Sequence, residues 1–406
     1  MSRLVPVRVA GLKAAIGAVV FGSLLALAGC NQSGFGGGGF GGPAGGSATA
    51  PVSGETIGTG NVRVALLLPL SATGNAGQVA LSLRNAADLA VRDFNTAGIQ
   101  ILVKDDRGTP EGARAAASQA ISEGAELILG PILAQSVTGA ASVARGANVP
   151  MIAFSTDTSI AGSGVYLLSF LPQSDVDRIV SFAAARGKRS VAALLPGNAY
   201  GTVVEAALQR AVANSGGRVM AIERYSLDRV SMQEKANAVA ALAKSGTIDT
   251  IFMPDAGDAA PFLAQVLAAG GVRAPQITYL GSGQWDDARI AAESNLTGAW
   301  YPAPEAGGFA SFSRRYQAAF GAAPQRTATL AYDATSLAAG LASRFGDQRF
   351  SAQTLTNPNG FIGVDGAFRF LQNGLNQRGL AVYEIKGGQA VIVDPAPKSF
   401  ARAPAT

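Results

Sequence analysis

The chain contains no histidine anywhere in its 406 residues. A histidine-liganded metal, a Ser-His-Asp triad and a Cys-His pair are therefore excluded. It has one cysteine, Cys30, so no disulfide can form within it. Charge is also sparse. Asp, Glu, Lys and Arg make up 15% of the residues against 48% hydrophobic ones, the balance of a globular protein and not of a disordered one. No acidic residue precedes Glu55, and three cationic residues, Arg3, Arg8 and Lys13, stand within the first thirty. Without these three the formal charge of +5 falls to +2, too little for a nucleic-acid footprint. No metal site and no cofactor are expected.

What is present begins with an export signal. The three cations precede an apolar run from Ala14 to Ala28, which reads as the n-region and h-region of a secretory signal peptide over 1–29. The run holds about fifteen residues, short of the roughly twenty a spanning helix needs. It ends in Leu27-Ala28-Gly29-Cys30, which resembles the bacterial lipobox. That resemblance implies lipidation at Cys30 and membrane attachment through acyl chains, each buried methylene contributing about 0.8 kcal/mol. Asn31 and Gln32 follow the cysteine where an Asp often marks inner-membrane retention, so an outer-membrane location is expected. From Gly34 to Gly60 there are twelve glycines in twenty-seven residues, a composition that predicts a flexible tether over 30–60.

Beyond the tether, short apolar runs alternate with longer segments of helical periodicity. Val62–Leu68 (VRVALLL), Ile99–Val103, Leu127–Leu129 and Met151–Phe154 read as buried strands, and Val191–Leu195, Thr250–Met253 and Ile277–Leu280 as a second set. Strands separated by helices predict parallel sheets covered on both faces. The fold class expected is α/β, two doubly wound parallel-sheet lobes flanking a ligand cleft. From Phe361 to Val393, Asp365-Gly366 and Gly387-Gly388 mark hairpins, so the chain closes with antiparallel strands.

In such folds a ligand sits beyond the carboxyl ends of the strands, where helix N-termini offer free N–H groups. Reading the residues after each strand nominates Ser71 and Thr73, then Gln135 and Ser136, then Ser155, Thr156 and Asp157 from the first lobe. Tyr200, Asp255 and Gln284 come from the second. Most are neutral hydrogen-bonding groups, which suit recognition better than bond breaking. Asp157 and Asp255 each precede a helical segment, so a capping role stands beside ligand contact. A pair of carboxylates facing each other could also serve an enzyme, yet no nucleophile accompanies them, and the chain is not expected to be an enzyme.

The ordered stretches VRVALLLPLSATGNAGQ, NAADLAVRDFNTAG, ELILGPILAQSV, VPMIAFSTDTS, ALLPGNAYGTVVEAAL and DTIFMPDAGDAAPFLAQVLAAG resemble the leucine/isoleucine/valine-binding protein family, periplasmic receptors of the type I two-lobed fold. The resemblance implies three hinge crossovers, with 61–171 and 300–370 in lobe one, 172–299 and 371–395 in lobe two, and a tail at 396–406. It also implies a small polar ligand and an ABC permease as partner. The family's hydroxyl position falls on Ala134, its threonine on Asp157, and its lobe-two acid on the stretch Gly281-Ser282-Gly283-Gln284. These departures point toward an amide, a sugar-peptide fragment or a positively charged group as ligand. The lipobox, tether and AFSTD stretch are also similar to the lipoproteins that activate penicillin-binding proteins, which implies a peptidoglycan synthase as alternative partner.

Overall fold

The computed structural model describes residues 50–94 and 98–400. The expected signal peptide at 1–29, Cys30 with the tether as far as 49, and the tail from 401 onward lie outside the described residues.

The first sheet contains β1 (Thr56–Ile57), β2 (Val62–Leu68), β3 (Ile99–Asp105), β4 (Leu127–Leu129), β5 (Met151–Ala153) and β6 (Val165–Leu167), in the order β1-β3-β2-β4-β5-β6. Every pairing is parallel except β1 with β3. Helices α1 (Gly74–Asp93), α2 (Pro110–Ser122) and α3 (Ala134–Gly146) connect these strands. The continuous apolar run of β2 follows from burial on both faces. Val64, Leu66 and Leu68 enter one core cluster while Ala65 and Leu67 enter another.

The tether expected to reach residue 60 ends sooner. Residues 50–57 pack along the first lobe: the Ala50 N–H donates to the Ser122 carbonyl at 2.8 Å, and Thr56–Ile57 adds an edge strand. Lys104 and Glu123, 5% and 2% exposed, form an ion pair at 2.7 Å, and Lys104 Nζ donates to the Ser53 carbonyl. A buried charge pair is costly unless fully partnered; here the early segment supplies part of that partnering, and this fastens it.

The second lobe is built from α4 (Pro172–Ala185), β7 (Ser190–Pro196), α5 (Ala199–Asn214), β8 (Arg218–Tyr225), α6 (Arg229–Lys244), β9 (Thr250–Phe252), α7 (Ala259–Ala269), β10 (Thr278–Leu280), α8 (Ala288–Ala291) and β11 (Trp300–Ala303). The chain then returns to the first lobe with α9 (Ala306–Phe320), α10 (Ala328–Arg344) and α11 (Ala352–Leu355). Phe312, Tyr316 and much of α10 share a core cluster with β2. A small antiparallel sheet follows, β12 (Phe361–Gly363), β13 (Gly366–Phe370) and β14 (Asn376–Arg378), and Phe368 and Phe370 pack into that same cluster. Finally β15 (Ala381–Lys386) and β16 (Gln389–Asp394) complete the second sheet, ordered β16-β15-β11-β10-β9-β7-β8. Their hairpin turns on Gly387 and Gly388, both at positive φ, as the favoured two-residue hairpin turn requires.

Two expected boundaries move. Residue 300 was to begin lobe one, but β11 pairs with β10 and β15 in the second sheet, so the crossing comes at Pro304. Residue 371 was to begin lobe two, but β14 pairs with β13, and the crossing comes at Gly379–Leu380. The first crossing lies at Leu171–Pro172, just before α4. The described part of the tail crosses back as well. The Phe400 N–H donates to the Asn359 carbonyl, and the Arg369 guanidinium lies 4.7 Å from the Phe400 ring centroid.

Candidate functional site

The three crossings converge on a cavity of about 380 Å³ with walls from both lobes, within the size range of small-molecule sites. Leu171, Pro172, Pro304 and Leu380 are the crossing residues in its lining.

On the lobe-two side, Tyr200 stands in the first turn of α5. Asn198 caps that helix by accepting from the Gly201 N–H at 3.0 Å. A Cβ on Gly201 would lie 1.8 Å from the Pro196 carbonyl oxygen, so only glycine lets the helix start this close behind β7. The Tyr200 hydroxyl donates toward Ser282 Oγ at 3.1 Å, and Ser282 Oγ donates to the Pro254 carbonyl at 2.6 Å. Burial first, and then the carboxylates of Asp175 and Asp255, push the Tyr200 phenol up, so it stays neutral. Asp175, in the first turn of α4, accepts from the Gly283 N–H at 2.9 Å. Desolvation raises its carboxyl to about 7, against the opposing effects of that hydrogen bond and of Arg378. Asp286, also in the lining, is raised by burial too, and Arg326 opposes the rise.

On the lobe-one side, two guanidinium groups approach the Phe170 ring, Arg326 at 4.7 Å and Arg378 at 4.6 Å from its centroid. Arg326 holds Asp365 with two bonds of 2.7 and 3.1 Å, and Thr329 donates to the same carboxylate at 2.6 Å. Arg378 is 5% exposed and donates from Nε to the Ser169 carbonyl, while Nη1 and Nη2 have no protein partner. Burial lowers its pKa and the carboxylates of Asp365 and Asp333 oppose that. The cavity thus offers two aromatic faces, two guanidinium groups, two carboxyls and the Gln284 amide. Among the described residues no cluster of three metal-liganding side chains occurs.

Of the ten nominated residues, Tyr200 and Gln284 line this cavity. Asp255 lies just below it with both oxygens engaged, one by the Tyr225 hydroxyl at 2.9 Å and one by the Ala256 N–H. At the tips of the first sheet, the Ser71 N–H donates to Asp105 and Gln135 Nε2 to the Gly108 carbonyl. Thr73 is exposed at the start of α1. Ser136 is fully buried within α3 and does not face solvent. Ser155 is buried and accepts from the Asp157 N–H, while Thr156 and Asp157 are exposed. Asp157 caps the following 3₁₀ turn through Ser159. Phe170, Asp175, Asp286, Arg326 and Arg378 escaped the sequence reading because most sit on crossovers, on helices or in the α9–α10 loop, where no strand-end rule looks. The carboxyls in the cavity lining are those of Asp175 and Asp286.

A family model described as periplasmic binding protein matches residues 61–390. No curated protein sequence matches. Among solved structures, the chain is similar to a protein from Rhodospirillum rubrum provisionally assigned as a branched-chain amino acid ABC transporter, at 19% identity and a TM-score of 0.72, over 82% of this chain and 99% of that one. It is also similar to an ABC transporter solute-binding protein from R. palustris in complex with benzoate, at 20% identity and a TM-score of 0.54, over 83% and 98% of the two chains. A third is an ABC transporter substrate-binding protein from Desulfitobacterium hafniense in complex with Leu, at 16% identity and a TM-score of 0.58, over 82% and 99%.

Proposed function

We propose, because the chain belongs to the periplasmic binding protein family, that it is a lipid-anchored receptor that takes a small polar solute into the cavity at the three crossings and presents it to an ABC permease. The observation that carries this reading is the 380 Å³ cavity whose walls come from both lobes, so that a solute inside it touches both and favours the arrangement that encloses it. The bound Leu and benzoate of the similar transporter proteins support a small organic solute. Solutes with polar groups at both ends fit best, since guanidinium groups stand on one side and Asp175 and Asp286 on the other.

The anchor is Cys30, acylated and left as the new N-terminus by cleavage after Gly29, and the outer membrane's periplasmic leaflet is its place. The alternative, activation of a peptidoglycan synthase by surface contact, gives the cavity no role, and we rank it second. A library of metabolites in a thermal-shift assay separates the two. A rise of several degrees on one solute, lost in Tyr200→Ala, supports the receptor; no response, with co-purification of a synthase, supports the activator.

A further inference from the structure

A second cavity, of about 730 Å³, lies between α4 and α5 of lobe two and the β13–β14 hairpin of lobe one. Four arginines line it, Arg178, Arg210, Arg369 and Arg378, against a single carboxylate, Asp177. Two of the four are largely committed. Arg178 bonds the Leu380 carbonyl and Asp394, and Arg369 bonds Gln377 and the Pro358 carbonyl. Arg210 is not; it stands 3.7 Å from Asp177 with more than half of each side chain exposed, a geometry worth little.

The lining also holds buried polar atoms with no protein partner: Arg378 Nη1 and Nη2, Asn376 Oδ1 and Gln173 Oε1. Arg378 is 5% exposed and Asn376 3% exposed. Orphaned buried groups are uncommon and cost free energy until something satisfies them. Two of these atoms are guanidinium donors, which match an oxyanion. The other two are amide oxygens, which accept from N–H or O–H donors such as hydroxyls.

We propose that this cavity is a binding site for a small hydroxylated oxyanion, a sugar acid or sugar phosphate, adjoining the cavity at the crossings, with which it shares Leu171, Ser174 and Arg378. The charged end meets Arg378 and Arg210, and the hydroxyls donate to Asn376 and Gln173. A volume of this size accepts a monosaccharide with its charged group and ordered water.

The test is calorimetric titration of the full chain with glucose 6-phosphate and with glucuronate, and with glucose as the uncharged control. One or both anions are expected to bind saturably at one site while glucose gives no heat. The two anion arms distinguish phosphate from carboxylate as the source of charge. Arg210→Ala is expected to weaken the anion about tenfold, Arg369→Ala, whose guanidinium is held by Gln377 and the Pro358 carbonyl, less than that, and Tyr200→Ala is expected to leave it unchanged. Ser181→Asp, which sets a negative charge in the lining, is expected to abolish binding if the arginine variants fold poorly. No saturable binding of either anion at millimolar concentration overturns the proposal. So does equal binding of glucose, or anion binding that survives the double arginine variant and disappears in Tyr200→Ala.

Discussion

The Tyr200 hydroxyl lies 3.1 Å from Ser282 Oγ, joining the first turn of α5 to the loop after β10 at the wall of the cavity. With the hydroxyl held there, the ring is the part of Tyr200 left for a solute in the proposed site. Ser282 is 1% exposed and also accepts from the Gln284 N–H at 3.2 Å. Ser282→Ala is therefore expected to cost about 1–3 kcal/mol by leaving partners unpaired, and to weaken solute binding less than Tyr200→Ala does. Urea unfolding read beside binding checks both.

Asp175 makes stability depend on pH in a defined direction. Its folded-state pKa is raised to about 7 by desolvation, above the ordinary carboxylate value near 4. The unfolded chain therefore releases this proton first, and the contribution is complete below about pH 4 and lost as pH rises through about 7. Asp175→Asn keeps an acceptor for Gly283 and removes the ionisation. The variant's melting temperature, measured from pH 4 to pH 8, is expected to gain on the parent's as pH rises; a constant difference would refute the assignment.

The Lys104–Glu123 pair gives the opposite slope. Burial raises the Glu123 carboxyl, but hydrogen bonds from Lys104, Gln119 and Ser53 and the lysine's charge outweigh it and hold the group below its ordinary value. Its contribution is present above the unfolded carboxylate pKa and is lost as pH falls through the lower folded value. Lys104→Met is expected to destabilise by about 3–5 kcal/mol, because an unpaired carboxylate is left buried. The double change Lys104→Met with Glu123→Leu is expected to recover most of this in the same denaturant titration.

Phe400 tests whether the returning tail fastens the lobes. Its ring under Arg369 and its N–H on Asn359 are the contacts described for the segment's end. Phe400→Ala is expected to cost about 1 kcal/mol and to speed hydrogen exchange in β12 and β13 before it does so in β2. Uniform acceleration would mean that the tail stabilises nothing locally.

The anchor is tested separately. Cys30→Ser is expected to abolish palmitate labelling and block cleavage of the leader, and unchanged labelling would remove the lipid from the account.

Much of the scaffold is legible because buried parallel strands leave continuous apolar runs such as VRVALLL. The strands that escaped are β1, β6, β8 and β11, and all but β11 stand at sheet edges. β8 (RVMAIERY) is an edge strand with a mixed burial pattern, so its sequence shows neither an apolar run nor clean alternation. β1 is two residues long and exists because β3 offers an open edge. At the site, Tyr200 and Gln284 follow strands and were readable on that ground. Arg378 lies in the tripeptide NQR of β14, which reads as a solvated strand; only the crossing of the chain buries it beside Phe170.

The most direct test of the central claim is calorimetric titration of the solute released from the purified protein, identified by native mass spectrometry, into the parent chain and into Tyr200→Ala. One solute per chain, bound at least about tenfold more weakly by the variant, is the result the account predicts. A purified protein that carries no solute, or binding that Tyr200→Ala leaves unchanged, would contradict it.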